Sequence, residues 1–314
     1  MVEAIRSLRV RGAPAIGVAA AFQLAHVARG FKPGTDRRTI ERTWSRAVRD
    51  LNASRPTAVN LFAATARMDR VFQEHRAQPF TGLVHRLERE ARKFFEEDLE
   101  MSRRIGRAGA GLIRNGSVWL THCNAGGLAT AGLGTALAVF YEAKRRGRTF
   151  SVFADETRPL LQGARLTAWE LSASGIPVTV ICDNMAGFAM ARKRVAGVIT
   201  GADRIAMNGD AANKIGTFGL AILAKHHGIP FYIAAPATTF DPELADGRGI
   251  PIEERGTAEL RSFNGRRTVP EKAGTWNPAF DVTPAGLITG FITDRGLIRP
   301  PFGRTLKRAL FPDN

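Results

Sequence analysis

Four short stretches of this sequence gather side chains able to move protons or bind anions, and each follows an apolar, β-rich run. They read Thr121-His122-Cys123-Asn124-Ala125-Gly126-Gly127, Asp155-Glu156-Thr157-Arg158, Cys182-Asp183-Asn184 and Gly201-Ala202-Asp203-Arg204. Cys123 precedes a glycine pair leading toward a helix, where backbone N–H groups and the helix dipole stabilise anions. A thiol placed there ionises more readily than a free one, whose pKa is about 8.5. An isolated cysteine is more often simply buried, but the His-Cys-Asn-Ala-Gly-Gly setting favours a reactive thiol. Cys182 closes the apolar run Val178-Thr179-Val180-Ile181 and reads as structural. Asp203 has two balanced readings. As a general acid its pKa must be held near 7 rather than about 3.9, which costs roughly 4 kcal/mol and is within the reach of burial. As a cap bonded to backbone N–H groups its pKa falls instead. Asp155 and Asp183 share the strand-end position and read more readily as caps.

A phosphate group needs arginine forks, lysine charges or helix-start N–H groups. Arg11-Gly12-Ala13 before Pro14, Arg55 before Pro56, and Asn213-Lys214 in a polar loop supply them, although most surface Arg and Lys are merely solvated. No Walker loop is present, and Ala125 to Gly132 does not form Gly-x-Gly-x-x-Gly, so no nucleotide cofactor is expected. The six histidines (His26, His75, His85, His122, His226, His227) lack metal-ligand spacing with carboxylates or cysteines, and no metal is expected.

With 314 residues, 44% of them hydrophobic, the chain can bury one large core or two ordinary ones. Its 45 Lys plus Arg against 29 Asp plus Glu give +16, which suits an anionic partner. The basic residues are scattered (Arg37, Arg38, Arg42, Arg46, Arg49) and no zinc site, RNA-binding signature or basic tail accompanies them. No specific nucleic-acid partner is therefore expected. Arg6, Arg9 and Arg11 precede the apolar run Pro14 to Ala28 as in a signal peptide. Gln23 and His26 interrupt that run, and a bilayer span takes about 20 apolar residues, so a buried helix is the expectation and no membrane is involved. Two cysteines make no disulfide framework and suit the cytoplasm.

The elements that must position these residues fall into two textures. Residues 1–115 carry helical periodicity: a helix with Pro14 in its first turn, a second capped by Asp36 or Thr35, a break at Arg55-Pro56, and a charged helix from Glu88 to Arg104 with Phe94, Phe95, Leu99 and Ile105 on one face. Beyond Asn115-Gly116, strand-like runs at Ser117–Thr121, Phe150–Ala154, Pro177–Ile181, Gly197–Thr200 and Pro230–Ala234 alternate with helical stretches. The expected fold class is α/β: a helical N-terminal domain over 1–115, then a Rossmann-like domain over 116–314 with a mainly parallel sheet. Ligands of such sheets bind beyond the carboxyl ends of the strands, where the four stretches stand. From about residue 265 the Gly/Pro-rich tail is expected to pack irregularly before a last helix near Pro284 to Thr293.

Seven segments together resemble the methylthioribose-1-phosphate isomerases: Val10–Ala19 (VRGAPAIGVA), Ser54–Leu61 (SRPTAVNL), Thr121–Gly127 (THCNAGG), Asp155–Leu171 (DETRPLLQGARLTAWEL), Asp183–Gly187 (DNMAG), Gly201–Gly216 (GADRIAMNGDAANKIG) and Ile250–Arg255 (IPIEER). That family stands with the α/β subunits of the translation-initiation exchange factor and with ribose-1,5-bisphosphate isomerases. The resemblance implies catalysis by Cys123 and Asp203. It also implies substrate contacts by Arg11, Gly12, Ala13, Arg55, Gln162, Asn213 and Lys214, and a homodimer. The implied reaction converts 5-methylthioribose 1-phosphate to 5-methylthioribulose 1-phosphate in methionine salvage, without a cofactor. The alternatives are 5-deoxyribose 1-phosphate or ribose 1,5-bisphosphate as substrate, or a non-catalytic exchange-factor-like regulatory subunit. Family members carry a short segment ahead of the stretch matching Val2–Arg6. This chain opens almost inside the match, and such a segment is expected to wall the site.

Overall fold

The computed structural model describes every residue except 33, 56, 57, 193 and 312–314. The chain divides into two compact units. The first comprises Met1–Ser102 with Gly127–Gly134, the second Arg103–Gly126 with Thr135–Asn314.

The first unit is helical. Its helices are α1 (Val2–Arg6), α2 (Ala13–Arg29), α3 (Arg37–Asn52), α4 (Val59–His75) and α5 (Phe80–Gly109), the last continuing into the second unit. Apolar residues recur every three or four positions and are all buried: Ile16, Ala20 and Leu24 on α2, Leu61, Met68 and Phe72 on α4, Leu83, Leu87 and Ala91 on α5. Trp44 of α3 stacks on Phe72 at 4.3 Å and donates its indole N–H to Asp69 at 2.7 Å, so the ring is buried with its polar atom satisfied. Asp36 caps α3 by accepting the Thr39 N–H at 2.9 Å. The break expected at Arg55-Pro56 involves Pro56, which lies outside the described residues. The run Pro14 to Ala28 is the buried helix α2, and among the described residues no helix is long and apolar enough to cross a membrane.

The second unit is built on a seven-stranded sheet. Strands β1 (Ser117–Thr121), β2 (Phe150–Asp155), β3 (Val178–Ile181) and β4 (Gly197–Thr200) are followed by β5 (Arg204–Ala206), β6 (Ala211–Lys214), β7 (Phe231–Ala234) and β8 (Phe240–Asp241). The short pair β9 (Ser262–Phe263) and β10 (Arg266–Arg267) precedes β11 (Phe280–Thr283), β12 (Gly290–Thr293) and β13 (Gly296–Ile298). The main sheet has the order β13-β12-β7-β4-β1-β2-β3, parallel throughout except for the antiparallel β12–β13 pair. Helices α6 (Ala136–Arg145), α7 (Ala168–Ala173), α8 (Ala186–Ala191) and α9 (Thr217–His226) follow β1, β2, β3 and β6, and α10 (Ala258–Arg261) and α11 (Phe302–Leu310) lie in the tail. Buried Val198, Phe231, Ile233 and Phe291 form one side of the core, Trp119, Val152, Ile199 and Ile292 the other, as period-2 alternation in a sheet covered on both faces requires. The α/β class with a helical start and a mainly parallel sheet is the one expected from sequence.

The tail differs from expectation. Pro284 to Thr293 is not a helix: it holds one 3-10 turn, Ala285–Leu287, and then β12, whose four residues are all buried. The spacing of Ile288, Phe291 and Ile292 suits a short strand shielded on both faces as well as a helical stripe, and pairing with β7 decides the outcome. The last helix is α11. A second, four-stranded sheet, β11-β6-β5-β8, also went unanticipated, because its strands are short and polar.

Candidate active site

The sheet order places the helical crossovers from β1 to β2 and β3 on one side of β1, and β4 on its other side. The carboxyl ends of β1 and β4 thus flank the topological switch point, where open α/β sheets form a ligand crevice. Cys123 stands two residues beyond β1 and Asp203 three beyond β4.

Cys123 is buried and its backbone is left-handed, with φ +61. A non-glycine residue in that region is strained, typically by about 1–3 kcal/mol, and persists only when its surroundings hold it. Two threonines do so. The Cys123 N–H donates to Thr157 Oγ1 at 2.8 Å, and Thr167 Oγ1 donates to the Cys123 carbonyl at 2.6 Å. Thr157 is itself left-handed, φ +66, which for a β-branched residue is a genuine outlier. It is fixed because its hydroxyl donates to the Asp155 carbonyl at 3.0 Å and its N–H donates to Asp183 Oδ1 at 2.7 Å. Asp183 also accepts the Arg158 N–H at 2.8 Å, so it acts as a backbone cap. On the other flank, buried Asn124 donates to Glu170 at 2.8 Å, and Glu170 accepts a further bond from Tyr141 at 3.1 Å. Thr157, Thr167, Asn124, Glu170 and Tyr141 were not singled out from sequence. All but Tyr141 lie inside the quoted segments.

Asp203 is half-buried, and its N–H donates to the Ala212 carbonyl at 2.8 Å at the start of the β5–β6 ladder. Arg204 pairs with Ala212 in that ladder, so Asn213 and Lys214 stand beside Asp203 rather than in a free loop. Both are buried side chains. Lys214 Nζ donates to the Ala279 carbonyl at 2.9 Å and lies 4.6 Å from the Phe280 ring centre, and Asn213 donates to Thr217 at 3.0 Å. Gln162 is buried, and its Oε1 has no protein partner among the described residues, as a side chain reserved for a ligand hydroxyl would stand. In the second unit the fold therefore gathers Cys123, Asp203, Asn213 and Lys214 about the switch point, with Gln162 on the segment beyond β2.

Arg11, Gly12, Ala13 and Arg55 lie in the first unit. Gly12 is the N-cap of α2, with φ +92, and a Cβ there would meet the Ala129 carbonyl at 2.5 Å, so only glycine fits. Arg11 and Ala13 flank it, and half-buried Arg55 sits between α3 and α4. A 17-residue helix with arginine at its N-terminus suits an anion.

The sequence offered no metal spacing, yet the fold brings donor atoms of His122, Asp155 and Asp183 within 4.8 Å of one another. They are largely committed elsewhere: both Asp183 oxygens accept backbone N–H groups, and His122 Nδ1 is 3.0 Å from Asp155 Oδ2. For His122, burial works against charge, but the hydrogen bond to Asp155 and the attraction of its carboxylate outweigh it, and the ring's pKa is raised. Asp155 is raised too, by burial first, with His122 opposing.

A Rossmann-like sheet with a strained cysteine, an aspartate, an amide and a lysine at its switch point defines an α/β protein equipped for acid–base chemistry on a small anionic ligand. Residues 9–300 match the initiation factor 2 subunit family, and the chain belongs to it. It is 55% identical over 98% of its length to a methylthioribose-1-phosphate isomerase of Heliobacterium modesticaldum, 89% of which is covered. It is 53% identical over 99% of its length to a 5-deoxyribose 1-phosphate isomerase of Moorella thermoacetica, 88% of which is covered. Among solved structures, it is similar to the 5-methylthioribose 1-phosphate isomerase of Pyrococcus horikoshii, with a TM-score of 0.92 and 46% identity, covering 100% of this chain and 87% of the other.

Proposed function

We propose that this chain is an aldose–ketose isomerase that converts 5-methylthioribose 1-phosphate to 5-methylthioribulose 1-phosphate, with Cys123 and Asp203 as its reacting side chains. The observation that carries the reading is the placement of these two residues at the ends of adjacent strands on either side of the switch point. Because C1 carries phosphate, the ring does not open through a free aldehyde. The bond from C1 to the ring oxygen breaks as that oxygen takes a proton, hydrogen moves from C2 to C1, and the C2 hydroxyl loses its proton to become the ketone. Asp203 supplies the proton to the ring oxygen and Cys123 assists the hydrogen transfer. Gln162, Asn213 and Lys214 of the second unit bind the sugar phosphate, and Arg11, Gly12, Ala13 and Arg55 are the anion-binding candidates of the first unit taken by itself. No cofactor enters.

A second substrate, 5-deoxyribose 1-phosphate, is favoured by the Moorella thermoacetica relative. It differs only at C5, so turnover of both compounds by the purified chain, with ribose 1,5-bisphosphate as a third, ranks them. Absence of turnover with all three contradicts the enzyme reading and favours a regulatory subunit. We also place the protein in the cytoplasm, where its two free thiols stay reduced.

The protein acts as a homodimer in this reading. Edge strand β3 and the helix after it expose Val180, Met185 and Phe188, the last by 67%, beside a cavity of about 950 Å³. Phe188→Glu is expected to yield monomers in sedimentation. The positive surface is read as general character, with nucleic-acid binding weak and lost at physiological salt.

A further inference from the structure

We propose that His122 is a positioning residue for this reaction: with both ring nitrogens bonded, it ties the strand end that carries Cys123 to the turn that carries Lys214, through a proton held between His122 and Asp155. The proposal rests on the functional reading above. Its geometry stands independently.

His122 is buried, as is Asp155. Its Nε2 lies 2.9 Å from the Ile215 carbonyl oxygen, which only accepts, so Nε2 carries hydrogen in every state of the bond. Its Nδ1 lies 3.0 Å from Asp155 Oδ2. One proton must occupy that second contact, whether it sits on the ring or on the carboxyl, because an unprotonated Nδ1 facing a carboxylate oxygen is a repulsive pair of acceptors. Asp155 Oδ1 has no protein partner among the described residues, so the contact with His122 is the bond that anchors this carboxyl.

Ile215 follows Lys214 directly and precedes Gly216, the left-handed N-cap of α9. The ring lies flush against Gly216: a Cβ there would come within 2.9 Å of His122 Cε1 and 3.0 Å of Nε2, so the turn closes over the imidazole only with glycine. From the opposite side Asp281 of β11 accepts the Gly216 and Phe218 N–H groups at 2.8 and 3.1 Å. The turn is thus held between His122 and Asp281. The charged groups facing the ring are Asp155 at the end of β2, Asp183 beyond β3 and Asp281 on β11. Glu156 acts on Asp155 from the next position. All are acidic, which favours retention of the proton.

Two half-substitutions separate the two bonds. His122→Gln places an amide near the Nε2 position and retains a donor for Ile215 while giving up Asp155. His122→Asn does the reverse. His122→Asn, which frees the Lys214 turn, is expected to raise KM for the sugar phosphate about tenfold with a smaller fall in kcat. His122→Gln is expected to lower kcat about tenfold with KM nearly unchanged. If both variants keep kcat and KM within twofold of the parent, or lose only melting temperature while the folded fraction turns over normally, the positioning role is wrong. The link itself is read in the intact wild-type protein by nitrogen-15 NMR of labelled histidine. The His122 Nε2 should be protonated and slow to exchange from about pH 5 to 9. A deprotonated or freely exchanging Nε2 overturns the proposal, as does broadening of the His122 signals by micromolar manganese alone, which would make the cluster a cation site. Because the NMR requires no turnover, inactivity of the wild type toward every sugar phosphate would sink the functional reading without deciding the link.

Discussion

The ends of β1 and β3 carry the same pair of residue types, a cysteine next to a polar cluster, and the fold treats them differently. Cys123 ends a central strand, is buried, and is forced into a left-handed backbone by Thr157 and Thr167. Cys182 ends the edge strand, is exposed, and keeps an ordinary extended backbone with φ −66 and ψ 147. The aspartates divide likewise: Asp183 is saturated by two backbone N–H groups, whereas Asp155 is buried against His122. At the switch point the cysteine is strained and enclosed, and at the edge it is relaxed and exposed. The difference lies in the position of a strand in the sheet, since residue type alone is shared.

Exchanging the thiols breaks the comparison most sharply. Cys123→Ser should reduce turnover about 10²–10⁴-fold, because a hydroxyl is far less acidic than a thiol. Cys182→Ser should leave kcat/KM unchanged. Equal effects from the two would remove the distinction. Thr157→Val comes next: it keeps the shape but deletes the acceptor for the Cys123 N–H, leaving a buried donor unsatisfied at a cost of about 1–3 kcal/mol. The expected result is a kcat about tenfold lower together with a reduced melting temperature. An unchanged kcat would mean that the left-handed backbone at Cys123 does not serve the chemistry.

Asp183→Asn sharpens the contrast among the aspartates. Only one amide oxygen remains to accept the Thr157 and Arg158 N–H groups, so stability should fall by about 1–2 kcal/mol. Activity of the folded fraction should change little, as a calorimetric scan beside a turnover assay would show. The smallest effect is one of pH. His122 and Asp155 both have raised pKa values in the folded protein, so the native state holds protons that the unfolded chain releases. The His122 part of that stability is complete below the ordinary value of 6.5 and is lost as pH rises through the folded value, whereas the Asp155 part is lost from the ordinary value of 3.8 upward. In Asp155→Asn the carboxylate is gone and burial is opposed only by the Ile215 carbonyl and the remaining acidic neighbours, so the His122 pKa falls and the loss of stability with rising pH should shrink. Urea midpoints measured from pH 5 to 9 should fall more steeply with pH for the wild type than for Asp155→Asn, and equal slopes would contradict the assignment.

Much of the architecture was legible because it depends on local pattern. The β-rich runs at 117–121 and 197–200 match β1 and β4 to the residue, and Asp36 caps α3 as a residue of its type before a helix should. The strand-end rule marks Cys123 and Asp203 as candidates together with Asp155 and Asp183, and the family resemblance chooses among them. What remained hidden depends on contacts distant in sequence. Thr167 reaches Cys123 across 44 positions, and Ile215 reaches His122 across 93, so no spacing betrays either. Pro284 to Thr293 misled for the same reason: its apolar spacing fits a helix, and only pairing of Phe291 with Ile233 makes it a strand.

The proposal at the centre of this account is that Asp203, just beyond the strand next to the one that leads to Cys123, is the acid of a sugar-phosphate isomerase. Asp203→Asn keeps the shape and the backbone bond to Ala212 but cannot deliver a proton. Steady-state turnover of 5-methylthioribose 1-phosphate by this variant, with its melting temperature measured on the same sample, is the most direct test. A fall of about 10²–10⁴-fold in kcat with KM and melting temperature nearly unchanged is the predicted result. Full turnover by a folded Asp203→Asn protein would contradict it.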